Sequence, residues 1–309
     1  MLAVGLVMAA AAPARAATVP AVSTQPATNV TTSSAQLHGT VNPHGAATTY
    51  SFQYGTSTRY GSQTASRLAG SGSSTINVAA AISGLAPGTT YHYRLVAHNA
   101  SGTASGSDRA LTTPRIPLRA TLTANPTFVT FGFATILGGR LTGTGAAHHQ
   151  VLLQKRAFPF TKSWVAAGRA TTTDSAGDFR FAALLPPAVT QFRVMAPDKP
   201  AGFSGIVRVG VAARIHTRLS ARHVTRGRFV RFTGTVTPAR EGVRYAIQRR
   251  RNGRWVTLAG GLTVHQDATS SALDKRIRIT RAGLYRVYVQ IGDGAILSAA
   301  GVPKRIGLR

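Results

Sequence analysis

The sequence predicts an all-β chain, a tandem of β-sandwiches, and three observations carry that prediction. Short runs of alternating apolar and polar residues recur along the chain, and no stretch of helical period interrupts them. Turn-forming residues separate the runs, and the chain carries 32 Gly and 15 Pro among its 309 residues. The second and third parts of the chain answer one another at offsets of roughly 91 to 97 residues, the mark of a duplicated module. A chain of this length has room for two or three domains of about 100 residues, each able to bury a core.

From the N-terminus, Met1 to Ala12 is apolar and leads to Ala14-Arg15-Ala16, a small-x-small cleavage pattern. Residues 1–16 are therefore expected to be a signal peptide, too short for the roughly 20 residues a membrane span needs. No later apolar segment has that length, so the mature chain is expected outside the cytoplasm without an integral membrane segment. Residues 17–26 read as a polar lead-in. Ala35 to Val41 then alternates, Asn42-Pro43-His44-Gly45 turns, and Tyr50, Phe52 and Tyr54 fall on one face of the next run. A further strand is expected from Thr75 to Ile82. Pro87-Gly88 supplies a turn, after which Tyr91, Tyr93, Leu95 and Ala97 alternate with His92, Arg94 and Val96. Asn99 to Gly102 is expected to turn into a strand over Thr103 to Leu111, and Pro114 with Pro117 marks a stiff linker, 114–118.

Two motifs in this stretch resemble the fibronectin type III domain in the version common in exported bacterial proteins. One is Asn42-Pro43-x-Gly45 leading to Tyr50-x-Phe52-x-Tyr54-Gly55-Thr56 and Tyr60-Gly61. The other is Leu85-x-Pro87-Gly88-Thr89-x-Tyr91-x-Tyr93. The resemblance covers residues 27–113 and implies a tyrosine corner in which the Tyr91 hydroxyl bonds to upstream backbone. A glutamate usually precedes the Tyr-Gly pair in that family, where this chain has Gln53. The motifs specify fold far more than function.

The duplicated part aligns Leu137–Thr142 with Phe232–Thr237, Leu152–Arg156 with Ala246–Arg250, and Trp164-Val165 with Trp255-Val256. Modules 119–211 and 212–309 are similar to bacterial immunoglobulin-like domains. That likeness rests on the Gln-Arg run, the Trp run, Thr173 to Phe179, and Ala282 to Val287. Their boundary contains no proline, which predicts a stiff stack.

Several chemistries find no support. With no cysteine, disulfides, thiolate catalysis and Cys-ligated zinc are excluded. Glu241 is the only glutamate, and the eight acids are scattered over three modules, against a paired-carboxylate site. His148 and His149 are adjacent, and neighbours on a strand point to opposite faces, so a loop placement is expected over a metal site. Asp174-x-x-Gly177-Asp178 reads as a tight hairpin, and no hydrolase elbow or phosphate-binding loop is present. The chain is expected to be no enzyme and to need no cofactor.

Charge is the remaining signal. The net charge is +28, and residues 1–113, 114–212 and 213–309 carry +4, +8 and +16. Such a gradient attracts polyanions, although an arginine excess is also what a GC-rich genome writes. The sharpest feature is Arg249-Arg250-Arg251-Asn252-Gly253-Arg254-Trp255. A type I′ turn at Asn252-Gly253 would pair Arg251 with Arg254, Arg250 with Trp255 and Ile247 with Leu258. Ile247 and Leu258 would then face the core, and Arg250 would stack on Trp255 outside. Strand alternation also sends Arg231, Arg276, Arg278 and Arg286 outward, on both sheets and without a single groove. The expectation is a secreted, non-catalytic surface or wall-associated binding and spacer protein, held electrostatically to acidic wall or surface polysaccharide. Other surface proteins are a further class of partner. Two alternatives stand beside it: an accessory to a glycan-active enzyme, and a non-specific polyanion or nucleic-acid binder. Sequence-specific nucleic-acid reading is not expected, since nothing is fitted to a groove.

Overall fold

A computed structural model describes residues 18–309, and every regular element among them is a strand. The expected signal peptide, 1–16, lies outside the described residues. The chain divides into two compact units between Ile116 and Pro117.

The first unit is one β-sandwich. Its smaller sheet orders strands Ala21–Thr28, Ser34–Asn42 and Ile76–Ser83. The larger orders Ser62–Gln63, Thr48–Gly55, Thr90–Asn99 and Gly102–Ser105, with Arg67–Gly70 on Thr48–Gly55 and Arg109–Thr112 on Thr90–Asn99. Leu37, Val41, Phe52, Tyr93 and Leu95 are fully buried between the sheets, each contributing about 1.5–3 kcal/mol of hydrophobic stabilisation. The Tyr91 hydroxyl accepts a hydrogen bond from Ala86 N–H at 2.9 Å, closing the turn five residues upstream. The Tyr-Gly motif has an equally local cause. A Cβ at Gly55 would lie 1.4 Å from the Tyr60 carbonyl oxygen, and Tyr60 and Gly61 both adopt positive φ, 62° and 83°.

Two expectations about this unit are corrected. Residues 21–26, read as a lead-in, form most of the first strand, which pairs with Ser34–Asn42. Its apolar period is weak because its one fully buried residue is Thr24, with Val22 and Ala27 only partly buried against the core, and polar bonds hold it as well. Leu95 N–H donates to Thr24 Oγ1 at 3.1 Å, and the Tyr93 hydroxyl accepts from Ala27 N–H and donates to the Gln25 carbonyl. The strand expected over 103–111 is broken at Gly106, where a Cβ would stand 2.4 Å from Thr24 Oγ1.

The second unit holds two β-sandwiches with matching topology. In the first of them Phe128–Thr130, Val207–Ala212, Thr190–Ala196, Gln150–Ala157 and Val165–Ala166 run side by side. The other repeats that order with His223–Val224, Lys304–Leu308, Gly283–Gln290, Arg244–Arg251 and Arg254–Leu262. The facing sheets are built on Ile136–Thr142 and on Phe229–Thr237, the runs the repeat aligned. Only Ala213, itself buried, separates strand Val207–Ala212 from strand Arg214–Leu219. The loop after Gly283–Gln290 then locks onto the preceding sandwich through backbone bonds. Val189 N–H donates to the Ala295 carbonyl (2.7 Å), Leu297 N–H to Val211 (2.8 Å) and Ala213 N–H to Leu297 (3.2 Å). Asp293 shapes that loop by accepting from the N–H groups of Ala295 and Ile296 and from Arg240. One continuous apolar cluster consequently runs from Ala120 to Ile306.

Candidate functional site

The arginine hairpin joins Arg244–Arg251 to Arg254–Leu262. Asn252 and Gly253 both have positive φ, 47° and 78°, the conformation a two-residue type I′ turn requires. Arg251 pairs with Arg254 and Arg250 with Trp255. Two finer expectations fail. A bulge shifts the register so that Ile247 opposes Ala259, and Leu258 is 44% exposed rather than core-facing. Gly260 and Gly261 follow, where a Cβ would meet the Tyr245 carbonyl oxygen at 2.6 Å and its hydroxyl at 2.7 Å, so this strand closes tightly only after the extra residue has been expelled. The guanidinium on Trp255 belongs to Arg286, 4.2 Å from the ring centroid, and not to Arg250. Arg286 lies on the strand beyond Gln248 and reaches across it, its Nε donating to Gln248 Oε1 at 2.9 Å.

Arg231, Arg276 and Arg278 stand on the opposite sheet, so the structure does not bring them together with Arg249, Arg250, Arg251, Arg254 and Trp255. Arg231 faces Arg276 in register and is forked onto Asp274. The bond with Asp274 holds the Arg231 guanidinium above its ordinary range, and Arg231 holds that carboxyl below its own. Arg276 lies over the Phe229 ring at 5.5 Å, and Arg278 Nε donates to the Gly227 carbonyl. Two neighbouring features are structural. Asp174 Oδ1 accepts from Ala176 and Asp178 N–H groups in a hairpin turn. Asp178 then forks onto Arg140.

What sequence reasoning missed is a recurrent triad of arginine, glutamine and aromatic ring. In the first sandwich Arg94 Nε donates to Gln53 Oε1 (2.9 Å) and its guanidinium lies 4.8 Å from the Tyr60 ring centroid. The second places Arg193 on Gln154 (2.8 Å) and over Trp164 (4.5 Å), with Arg156 also against Trp164 at 4.6 Å. Arg286, Gln248 and Trp255 form the third. Each arginine sits directly opposite its glutamine in register, in the pairs Gln53 and Arg94, Gln154 and Arg193, and Gln248 and Arg286. Burial and then the neighbouring Arg156 charge push the Arg193 guanidinium down, and burial does the same to Arg286. The signal was present as a glutamine on one strand and an arginine on its partner, visible only once the strands are paired.

No family model matches the chain, and no curated protein matches it. Among solved structures it is similar to the sensor domain of the anti-sigma factor RsgI4 of Pseudobacteroides cellulosolvens. That match has 22% identity over 31% of this chain and 94% of that one, with a TM-score of 0.26. It is also similar to a tetra-tandem repeat in the extending region of a large adhesion protein, at 13% identity over 93% of this chain and 74% of that one (TM-score 0.40). The FN1–FN3 domains of chicken CNTN1 match at 12% identity over 94% of this chain and 99% of theirs (TM-score 0.27).

Proposed function

We propose that this chain is an exported, non-catalytic binding and spacer protein that associates electrostatically with acidic polysaccharide at a cell surface or wall. The observation that carries the reading is the distribution of charge: +28 overall, with the exposed arginines of the last sandwich standing on both of its sheets. Arg231, Arg276 and Arg278 cover one sheet while Arg250, Arg251 and Arg254 cover the hairpin of the other. A surface positive on both faces suits a polymer that surrounds it better than a small ligand that needs one pocket. Among the described residues no helix is long and apolar enough to cross a membrane.

The test is elution from envelopes of the producing cells. The bound protein is expected to release progressively as salt rises from about 0.1 M to 1 M, where the screening length shrinks from about 10 Å to 3 Å. Retention that does not change across that range contradicts the electrostatic reading.

A further inference from the structure

We infer that the outer face of the sheet containing Gln150–Ala157 and Thr190–Ala196 is a binding surface for a linear acidic polysaccharide, gripped by Arg156, Arg193 and Arg208. This rests on the polyanion reading above and moves its specific part from the hairpin tip to a sheet face.

The three arginines come from three adjacent strands. Gln154 pairs with Arg193, Arg156 with Gln191, and Gln191 in turn with Arg208. Strands lie about 4.8 Å apart and residues on one face recur about every 6.6 Å, so the three backbone positions fall within about 10 Å. Their side chains are pre-organised. Arg156 and Arg193 both lie against Trp164, and each gives its Nε to a glutamine, Gln191 and Gln154 respectively. Arg208 lies over Phe160 at 5.6 Å. Bonds through Nε leave the two terminal nitrogens of Arg156 and Arg193 to grip an anion end-on, through a pair of parallel N–H donors.

The face also lacks its counter-charge. None of the ion pairs among the described residues includes Arg156, Arg193 or Arg208, whereas the opposite sheet of the same sandwich neutralises Arg140 with Asp178. Burial, and then the neighbouring Arg156 charge, push the Arg193 guanidinium down. A polymer bearing carboxylates would supply what the protein omits. Acidic polysaccharide fits better than single-stranded nucleic acid, because the Trp164 ring is occupied by guanidinium and offers bases no free stacking platform.

Binding of polygalacturonate to the full chain at low salt tests this. The triple change Arg156→Gln, Arg193→Gln, Arg208→Gln is compared with Arg250→Gln, Arg251→Gln, Arg254→Gln, which removes equal charge from the hairpin tip. The face variant is expected to lose about tenfold in affinity or more, the tip variant less than about threefold. Equal losses overturn the site and leave delocalised attraction standing. Absence of wild-type binding overturns the reading on which the site rests. Displacement of the polymer by single-stranded DNA at a lower concentration than by polygalacturonate itself overturns the choice of ligand. If thermal melting shows the triple face variant unfolded, Arg208→Gln alone decides. Among the described residues the Arg208 side chain has a ring contact with Phe160 and no ion pair, and its ladder pairing is through the backbone, so this variant is expected to fold and to bind about threefold more weakly; unchanged affinity overturns the proposal.

Discussion

Replacing Gly234 with alanine is expected to destabilise the last sandwich by about 3 kcal/mol. A Cβ at this position would stand 2.0 Å from the His216 carbonyl oxygen and 3.1 Å from the Thr217 Cα. Both are backbone atoms of the paired strand Arg214–Leu219, so no side-chain rotation relieves the clash. The equivalent of Gly234 in the preceding sandwich, Gly139, faces the same constraint, with the Thr121 carbonyl oxygen 2.1 Å from a Cβ. The module duplication therefore preserved a glycine for close approach of two backbones. Denaturant unfolding of Gly234→Ala should show a lower midpoint with the slope unchanged. A midpoint equal to that of the wild type would mean that the strand yields and the clash is harmless.

The second large effect concerns cooperativity within residues 117–309. Leu297→Pro removes the N–H that bonds to the carbonyl of Val211, a fully buried residue, and leaves that acceptor unsatisfied at a cost of about 1–3 kcal/mol. The bond is one of three that tie the loop to the preceding sandwich, and the shared apolar cluster depends on the loop staying in place. The wild-type pair is expected to melt as one cooperative transition and the variant as two. Calorimetry that gives a single sharp transition for both proteins contradicts this account of the junction.

The inward and outward alternation was legible in the sequence. Val230, Phe232 and Val236, Ile277 and Ile279, and Tyr285, Val287 and Val289 are all buried, while Arg231, Arg276 and Arg278 are exposed. Period-two patterning is local, and a local rule needs no knowledge of partners. The strand Ala21–Thr28 was not legible, because an edge strand held by Thr24 and Tyr93 hydrogen bonds carries almost no apolar signal. Trp255 shows the same limit at the candidate site. A hairpin turn fixes which residues oppose one another across it, and that correctly pairs Arg250 with Trp255. The arginine that covers the indole arrives from a third strand more than thirty residues later, and only the sheet order makes the two neighbours.

The two tryptophans of the chain, Trp164 and Trp255, both lie under arginines of the triads, so tryptophan emission reports selectively on these faces. Titrating the full chain with polygalacturonate at low salt while recording that emission is the most direct test of an arginine face that binds acidic polymer. A saturable change in emission that added salt reverses is expected, with affinity falling as ionic strength rises. Polymer binding measured independently with the tryptophan emission unchanged would contradict it.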